Sequence, residues 1–128
     1  MTVGAWDPYR RDCPSRRLLD RIGDRWTVLI MGVLDGGPRR FTEIAAEVEG
    51  ISQKMLTQTL RSLERDGLVS RTVTPTVPVT VTYELTGLGL SLQQLMCDVK
   101  AWAEAHMDEV LTNRKEYDKP VIARAGPR

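Results

Sequence analysis

Apolar residues recur along this chain in two rhythms, one near 3.6 and one near 2, and the switch between them places the elements. Leu18, Leu19 and Ile22 fall at helical spacing after Pro14 or Ser15, and proline is tolerated in a first helical turn. After Gly23 the pattern resumes with Trp26, Leu29, Ile30, Val33 and Leu34, until Gly36, Gly37 and Pro38 stop it. This second helix is the most apolar and is expected at the centre of the core. Thr42 reads as the N-cap of a short helix through Glu49, with Ile44, Ala45 and Val48 inward and the glutamates outward. Gly50 ends it, and Ser52 can cap the next helix, which runs to about Asp66 before Gly67.

The rhythm then changes. Leu68 to Thr74 and Val79 to Thr86 read as strands, and the second alternates, with Val79, Val81, Tyr83 and Leu85 facing one way. Pro75 and Pro78 mark the tip between them. From about Gly87 a long helix is predicted, its stripe formed by Leu88, Leu92, Leu95, Val99, Trp102 and His106 and widened by Met96, Ala103 and Val110. Two short helices about three residues apart with a glycine between them have helix-turn-helix spacing, and the hairpin that follows supplies a wing. The expected fold is mostly α with a small β-hairpin wing, a winged helix-turn-helix. Residues 1–12 read as an N-terminal arm with Trp6 and Tyr9 as candidate anchors, residues 13–112 as the domain with its terminal helix, and residues 113–128, charged and containing Pro120 and Pro127, as a loose tail.

Composition narrows this modestly. The 128 residues, 41% apolar and 27% charged, suit one globular domain. The stretch MTVGAWDPYRRDCP lacks the apolar run of a secretory signal and no segment could span a bilayer, so the cytoplasm is the expected compartment. Cys13 and Cys97 do not suggest a disulfide scaffold, and with His106 as the sole histidine no metal site or cofactor is expected.

The net charge of +1 announces no polyanion, but its distribution is informative. On the helix after Ser52, Leu56, Thr59, Leu60 and Leu63 cluster on one side, while Lys54, Gln58, Arg61 and Arg65 cluster opposite, with Gln53 and Thr57 at the margin. Arg and Lys suit guanine edges and phosphates, Gln suits adenine, and Thr suits a phosphate or a thymine methyl. Any surface helix has a polar outer face, so the stripe gains meaning only from the helix, turn and hairpin around it. In that setting double-stranded DNA is the expected partner. Gln53, Lys54, Thr57 and Gln58 are expected at base edges and Arg61 at phosphate, because the N-terminal half of such a helix enters the major groove. Arg40, Thr42, Ser52, Arg71 and Thr80 complete the expected contact surface.

Several spaced elements in order resemble the HxlR-type family of winged helix-turn-helix transcription regulators, within a MarR-like superfamily. They are Cys13-Pro14, Ile22-Gly23-Asp24-Arg25-Trp26, Arg40-Phe41, Ile51-Ser52, the run LERDGLVSR, and Tyr83-Glu84-Leu85-Thr86, covering about Cys13 to Ala105. The resemblance implies a homodimer through the terminal helices, binding to an inverted-repeat operator, and control of a nearby gene, with repression the expected sign. Similar proteins often carry arginine just before the second wing strand. Here the region reads Pro78-Val79-Thr80, which implies weaker wing contacts or contacts through Thr80 and backbone.

The stripe on the last helix is wider than one small domain can cover, and large exposed apolar patches are unusual on monomers. Leu18, Leu92, Met96, Val99, Trp102 and Ala103 are therefore the expected dimer contacts, in an isologous interface. Cys13 lies among Arg10, Arg11, Arg16 and Arg17 at a helix start, where thiolate is favoured, although Asp12 partly offsets the cations. Some members of the similar family sense oxidants or electrophiles at this position. Two readings of Cys13 stay open: a redox sensor, or a small packing residue. Cys97 and His106 read as packing residues, and Trp26 and Trp102 as core residues that could also line an effector crevice. No phosphate loop, nucleophile elbow or carboxylate pair points to an enzyme. The remaining alternatives are a winged-helix regulator triggered by a small-molecule effector and a winged helix that binds only protein.

Overall fold

The computed structural model describes residues 6–120, so parts of the expected arm and tail, residues 1–5 and 121–128, lie outside the described residues. The elements run α1 (Pro14–Ile22), α2 (Arg25–Leu34), β1 (Arg39–Arg40), α3 (Phe41–Glu47), α4 (Gln53–Arg65), β2 (Val69–Thr74), β3 (Thr80–Leu85) and α5 (Gly87–Tyr117). The three strands form one antiparallel sheet in the order β1-β3-β2. This is the winged helix-turn-helix architecture. The chain divides into two compact units, Met1–Gln94 and Leu95–Arg128.

In the first unit the core is built by α2, α3, α4 and the base of the hairpin. Ile30, Met31 and Leu34 of α2 meet Ile44 and Val48, then Leu56, Leu60 and Leu63 of α4, with Leu68, Val69 and Leu85 closing the sheet side; all are buried. The buried face of α2 is Thr27, Ile30, Met31 and Leu34, whereas Leu29, expected inside, is exposed. Periodicity could not choose here, because α2 is apolar nearly all the way round. Asp24, named in the sequence only within the Ile22–Trp26 motif, caps α2 by accepting the Trp26 N–H at 2.8 Å.

The short helix departs from expectation in two ways. Its N-cap is Arg40, not Thr42, and the Glu43 carboxylate accepts the Arg40 backbone N–H at 2.8 Å. The reason lies in β1, where pairing of Arg39 with Tyr83 and Arg40 with Thr82 delivers the chain extended up to residue 40. The helix also ends at Glu47, so only Ile44 and the cap residue Val48 turn inward and Ala45 is exposed. Gly50 then takes φ +87°, which an L side chain rarely adopts, and the chain turns into α4.

Ser52 caps α4 as its sequence suggests, its hydroxyl accepting the Met55 N–H at 3.0 Å. Gly67 at φ +76° ends the helix, and the Leu68 N–H returns to the Leu63 carbonyl at 2.9 Å. The hairpin pairs in register from Val69 with Leu85 to Thr74 with Thr80. At the tip the Thr76 hydroxyl donates to the Pro78 carbonyl at 2.7 Å and lies 3.2 Å from the Thr80 hydroxyl. Thr86, expected in the strand, instead ties three segments together. Its hydroxyl donates to the Gly67 carbonyl at 2.6 Å and accepts the Gly89 N–H at 3.0 Å, capping the start of α5.

The second unit continues α5, which runs helical through Tyr117, past the boundary expected at residue 112. Trp102 and His106 stack with ring centroids 4.5 Å apart, and His106 Nδ1 lies 2.8 Å from the Trp102 carbonyl. His106 is therefore satisfied one helical turn along its own helix.

Candidate nucleic-acid interface

Helix α4 separates its two faces cleanly. Leu56, Thr59, Leu60 and Leu63 are buried, and the residues that point away, Gln53, Lys54, Gln58 and Arg61, are exposed with Thr57 half-buried beside them. Gln53, Lys54, Thr57, Gln58 and Arg61 together line one open concavity of about 560 Å³. Of the expected contact residues, these five are brought into a single surface. With Ser52 holding one of the helix's first N–H groups, the N-terminal end of α4 also presents the positive end of its dipole there.

A second groove of about 300 Å³ lies between α4 and the wing, lined by Thr57, Arg61, Glu64, Arg71 and Tyr83. Arg71 of β2 sits opposite Tyr83 of β3 in the strand register. Thr57 and Arg61 are common to both concavities, so the helix surface and the wing are joined through them. Among the described residues no ion pair within 4.0 Å engages Lys54, Arg61 or Arg71. Their charge is available to a polyanion, with Glu64 the one acid in the groove. Tyr83 was not among the expected contacts, because strand alternation grouped it only with the apolar Val79, Val81 and Leu85. It is half-buried and still borders the groove.

The remaining expected contacts are not gathered with these. Arg40 and Thr42 stand exposed at the start of α3, and the Ser52 hydroxyl is engaged in its cap. Thr80 belongs to the tip end of the wing, where its hydroxyl meets Thr76. Arg65, placed on the outer stripe by helical phase, instead lines a separate cleft with residues of α1.

Neither cysteine is in a disulfide. Cys13 is half-buried at the N-cap of α1, with its Sγ 3.0 Å from the Ser15 hydroxyl. That hydrogen bond holds the thiol below its ordinary range, against the opposing effects of burial and the Asp7 charge. The sequence attributed such a shift to the flanking arginines and helix start; the structure assigns it to Ser15. Cys97, expected to pack, is exposed. Trp26 is half-buried, and the Arg25 guanidinium lies 4.5 Å over its ring. The expected anchors Trp6 and Tyr9 are exposed, Tyr9 at 90%, in a turn held instead by Asp7.

The terminal helices leave apolar side chains uncovered. Leu18 of α1 is 42% exposed, and on α5 Leu95, Val99 and Trp102, one turn apart along one stripe, are 63%, 69% and 59% exposed. Ala103 is also exposed and Leu92 half-buried, whereas Met96, at 6%, is already covered within the chain and offers little to a partner.

Comparison with known proteins now bears on these surfaces. The family model for HxlR-like helix-turn-helix proteins matches residues 21–111. The HTH-type transcriptional regulator YtfH of Escherichia coli strain K12 is 39% identical over 108 residues, covering 84% of this chain and 86% of its own. The solved structure of ytfH from Salmonella typhimurium superposes with a TM-score of 0.80 at 36% identity, over 86% of this chain and 98% of that one. The diamide-treated form of YodB from B. subtilis has a TM-score of 0.64 at 41% identity, over 75% and 96% of the two chains.

Proposed function

The chain belongs to the HxlR-like helix-turn-helix family of transcriptional regulators, and we propose that it is a cytoplasmic homodimeric repressor reading an inverted-repeat operator through α4. The observation that carries this reading is the outer face of α4, where Gln53, Lys54, Thr57, Gln58 and Arg61 form one solvent-facing surface backed by buried leucines. The N-terminal residues Gln53, Lys54, Thr57 and Gln58 meet base edges in the major groove. Arg61 and Arg71 hold the phosphate backbone where it crosses the groove bordered by Tyr83. Arg40 and Thr42 flank this surface, Ser52 fixes the start of the helix, and Thr80 approaches the backbone from the wing.

Two subunits joined through α1 and α5 set their recognition helices roughly 34–36 Å apart, in successive major grooves on one side of the duplex. Occupying a promoter then suffices to repress. The input assigned to this switch is oxidation or alkylation of Cys13. The hydrogen bond from Ser15 favours its thiolate, the reactive form, and the relative YodB was itself solved after diamide treatment.

Selection from random duplexes tests the reading. The protein is expected to recover an inverted repeat with half-sites one helical turn apart and to lose affinity steeply with salt. Diamide is expected to release the selected DNA from the parent protein and not from Cys13→Ser. Recovery of no common site would overturn DNA reading, and equal release from both proteins would overturn the role of Cys13.

A further inference from the structure

The groove between α4 and the wing holds an uncharged donor with no partner of its own. Thr57, Arg61 and Glu64 recur at i, i+4 and i+7, so they share one side of α4. Arg71 and Tyr83 line the opposite wall. They are direct partners across β2 and β3 and so lie on one face of the sheet. Tyr83 is also paired with Arg39 of β1, but the Arg39 guanidinium turns back to the Pro38 carbonyl at 2.9 Å and is not part of the groove. Among the described residues none hydrogen-bonds the Tyr83 hydroxyl, and no ion pair within 4.0 Å uses Arg61, Glu64 or Arg71. A tyrosine packed into protein ordinarily gives its hydroxyl a partner. Here that hydroxyl and two guanidiniums share one space of about 300 Å³.

We propose, resting on the DNA reading above, that this groove seats one internal phosphodiester, with the Tyr83 hydroxyl donating to a phosphoryl oxygen that Arg61 and Arg71 hold by charge. Two guanidiniums and one carboxylate leave a single net positive charge, which matches the single negative charge of a diester. A terminal phosphate carries about −1.5 to −2 at neutral pH, and Glu64 would repel the excess. Side-chain freedom divides the work. Arg61 and Arg71 are exposed on long, flexible stems, so they draw the backbone in without fixing its position. Tyr83 turns about two torsions only and stands on the central strand of three, paired on both sides. It therefore fixes where the phosphate sits, and a fixed phosphate sets the register of α4 on the bases.

Tyr83→Phe tests the seat, since it keeps the ring and removes only the hydroxyl. On a random-sequence duplex, followed by fluorescence anisotropy over a range of salt, it should weaken binding about tenfold. Its salt slope should equal the parent's, because no charge is lost, whereas Arg71→Ala should weaken the same duplex and flatten the slope by about one. Methylphosphonates placed singly along the selected operator should reveal one position per half-site at which the Tyr83→Phe loss disappears. Equal affinity of Tyr83→Phe and the parent overturns the proposal, as does a loss that no single methylphosphonate removes. Should Tyr83→Phe fail to fold by circular dichroism, Arg71→Ala decides through the same scan, and a loss spread over several phosphates overturns the single seat. Failure of operator reading looks different. No common site is then recovered from random duplexes, and the comparison on unselected DNA alone decides the role of the hydroxyl.

Discussion

Gln58 and Lys54 differ from Arg61 in what each can distinguish, although all three are exposed on one face. An amide or ammonium at a base edge discriminates between sequences, whereas a guanidinium on phosphate does not. Gln58→Ala and Lys54→Ala should each cost about 1–3 kcal/mol on the selected operator and relax choice at one position. Arg61→Ala should weaken every duplex alike and lower the salt slope by about one. Competition binding against single-base operator variants separates these outcomes, and equal losses across all sequences for all three would remove the division of labour. Cys13 carries a different expectation. Ser15 lowers its thiol pKa, so Ser15→Ala should move the midpoint of the alkylation rate upward in pH and slow the reaction at neutral pH. An iodoacetamide rate profile on a Cys97→Ser background checks this, and an unchanged midpoint would show that Ser15 does not set it.

At the scale of elements, the crossing of α5 over the hairpin base depends on Gly89. A Cβ there would collide with the backbone carbonyl of Leu68, which is not free to move because it accepts the Thr86 N–H. Gly89→Ala should therefore destabilise by about 1–3 kcal/mol, despite the higher helix propensity of alanine, as read by urea denaturation. Stability equal to the parent would mean the crossing shifts without cost. Ser52→Ala should cost about 1 kcal/mol through the lost cap. These two residues also mark what the sequence could disclose. Ser52 was legible because a cap acts within three residues, and the faces of α4 were legible because its leucines and cations repeat with one period. The face of α2, the strand β1, the Thr86 bond to the Gly67 carbonyl and the Gly89 contact depend on segments distant in sequence, so no local pattern announces them. The same limit applies to the site. The five outer residues of α4 follow from helical phase, but Tyr83 joins Arg61 and Arg71 only through the sheet, and Arg65 turns to α1 only through tertiary packing.

For the whole molecule, the decisive quantity is how many chains act together. One domain with one α4 can occupy one half-site, and the specificity proposed here requires two. Leu95, Val99 and Trp102 repeat at helical spacing and stand mostly exposed, an arrangement that a second copy would cover. Val99 makes the cleaner test, because Trp102 also stacks on His106 and its loss would disturb the helix itself. Val99→Glu places a charge where an isologous interface would bring two such groups together, while an exposed helical site tolerates glutamate in a single chain. The parent should sediment at twice the 14.4 kDa chain mass and the variant at that mass, with the helical circular dichroism signal retained. Operator affinity should then fall by roughly 10²–10⁴-fold, since the second half-site is no longer tethered to the first. A variant that still sediments as a pair would place the interface elsewhere. A parent that sediments as a single chain and nonetheless protects both half-sites would remove the need for preformed pairing altogether.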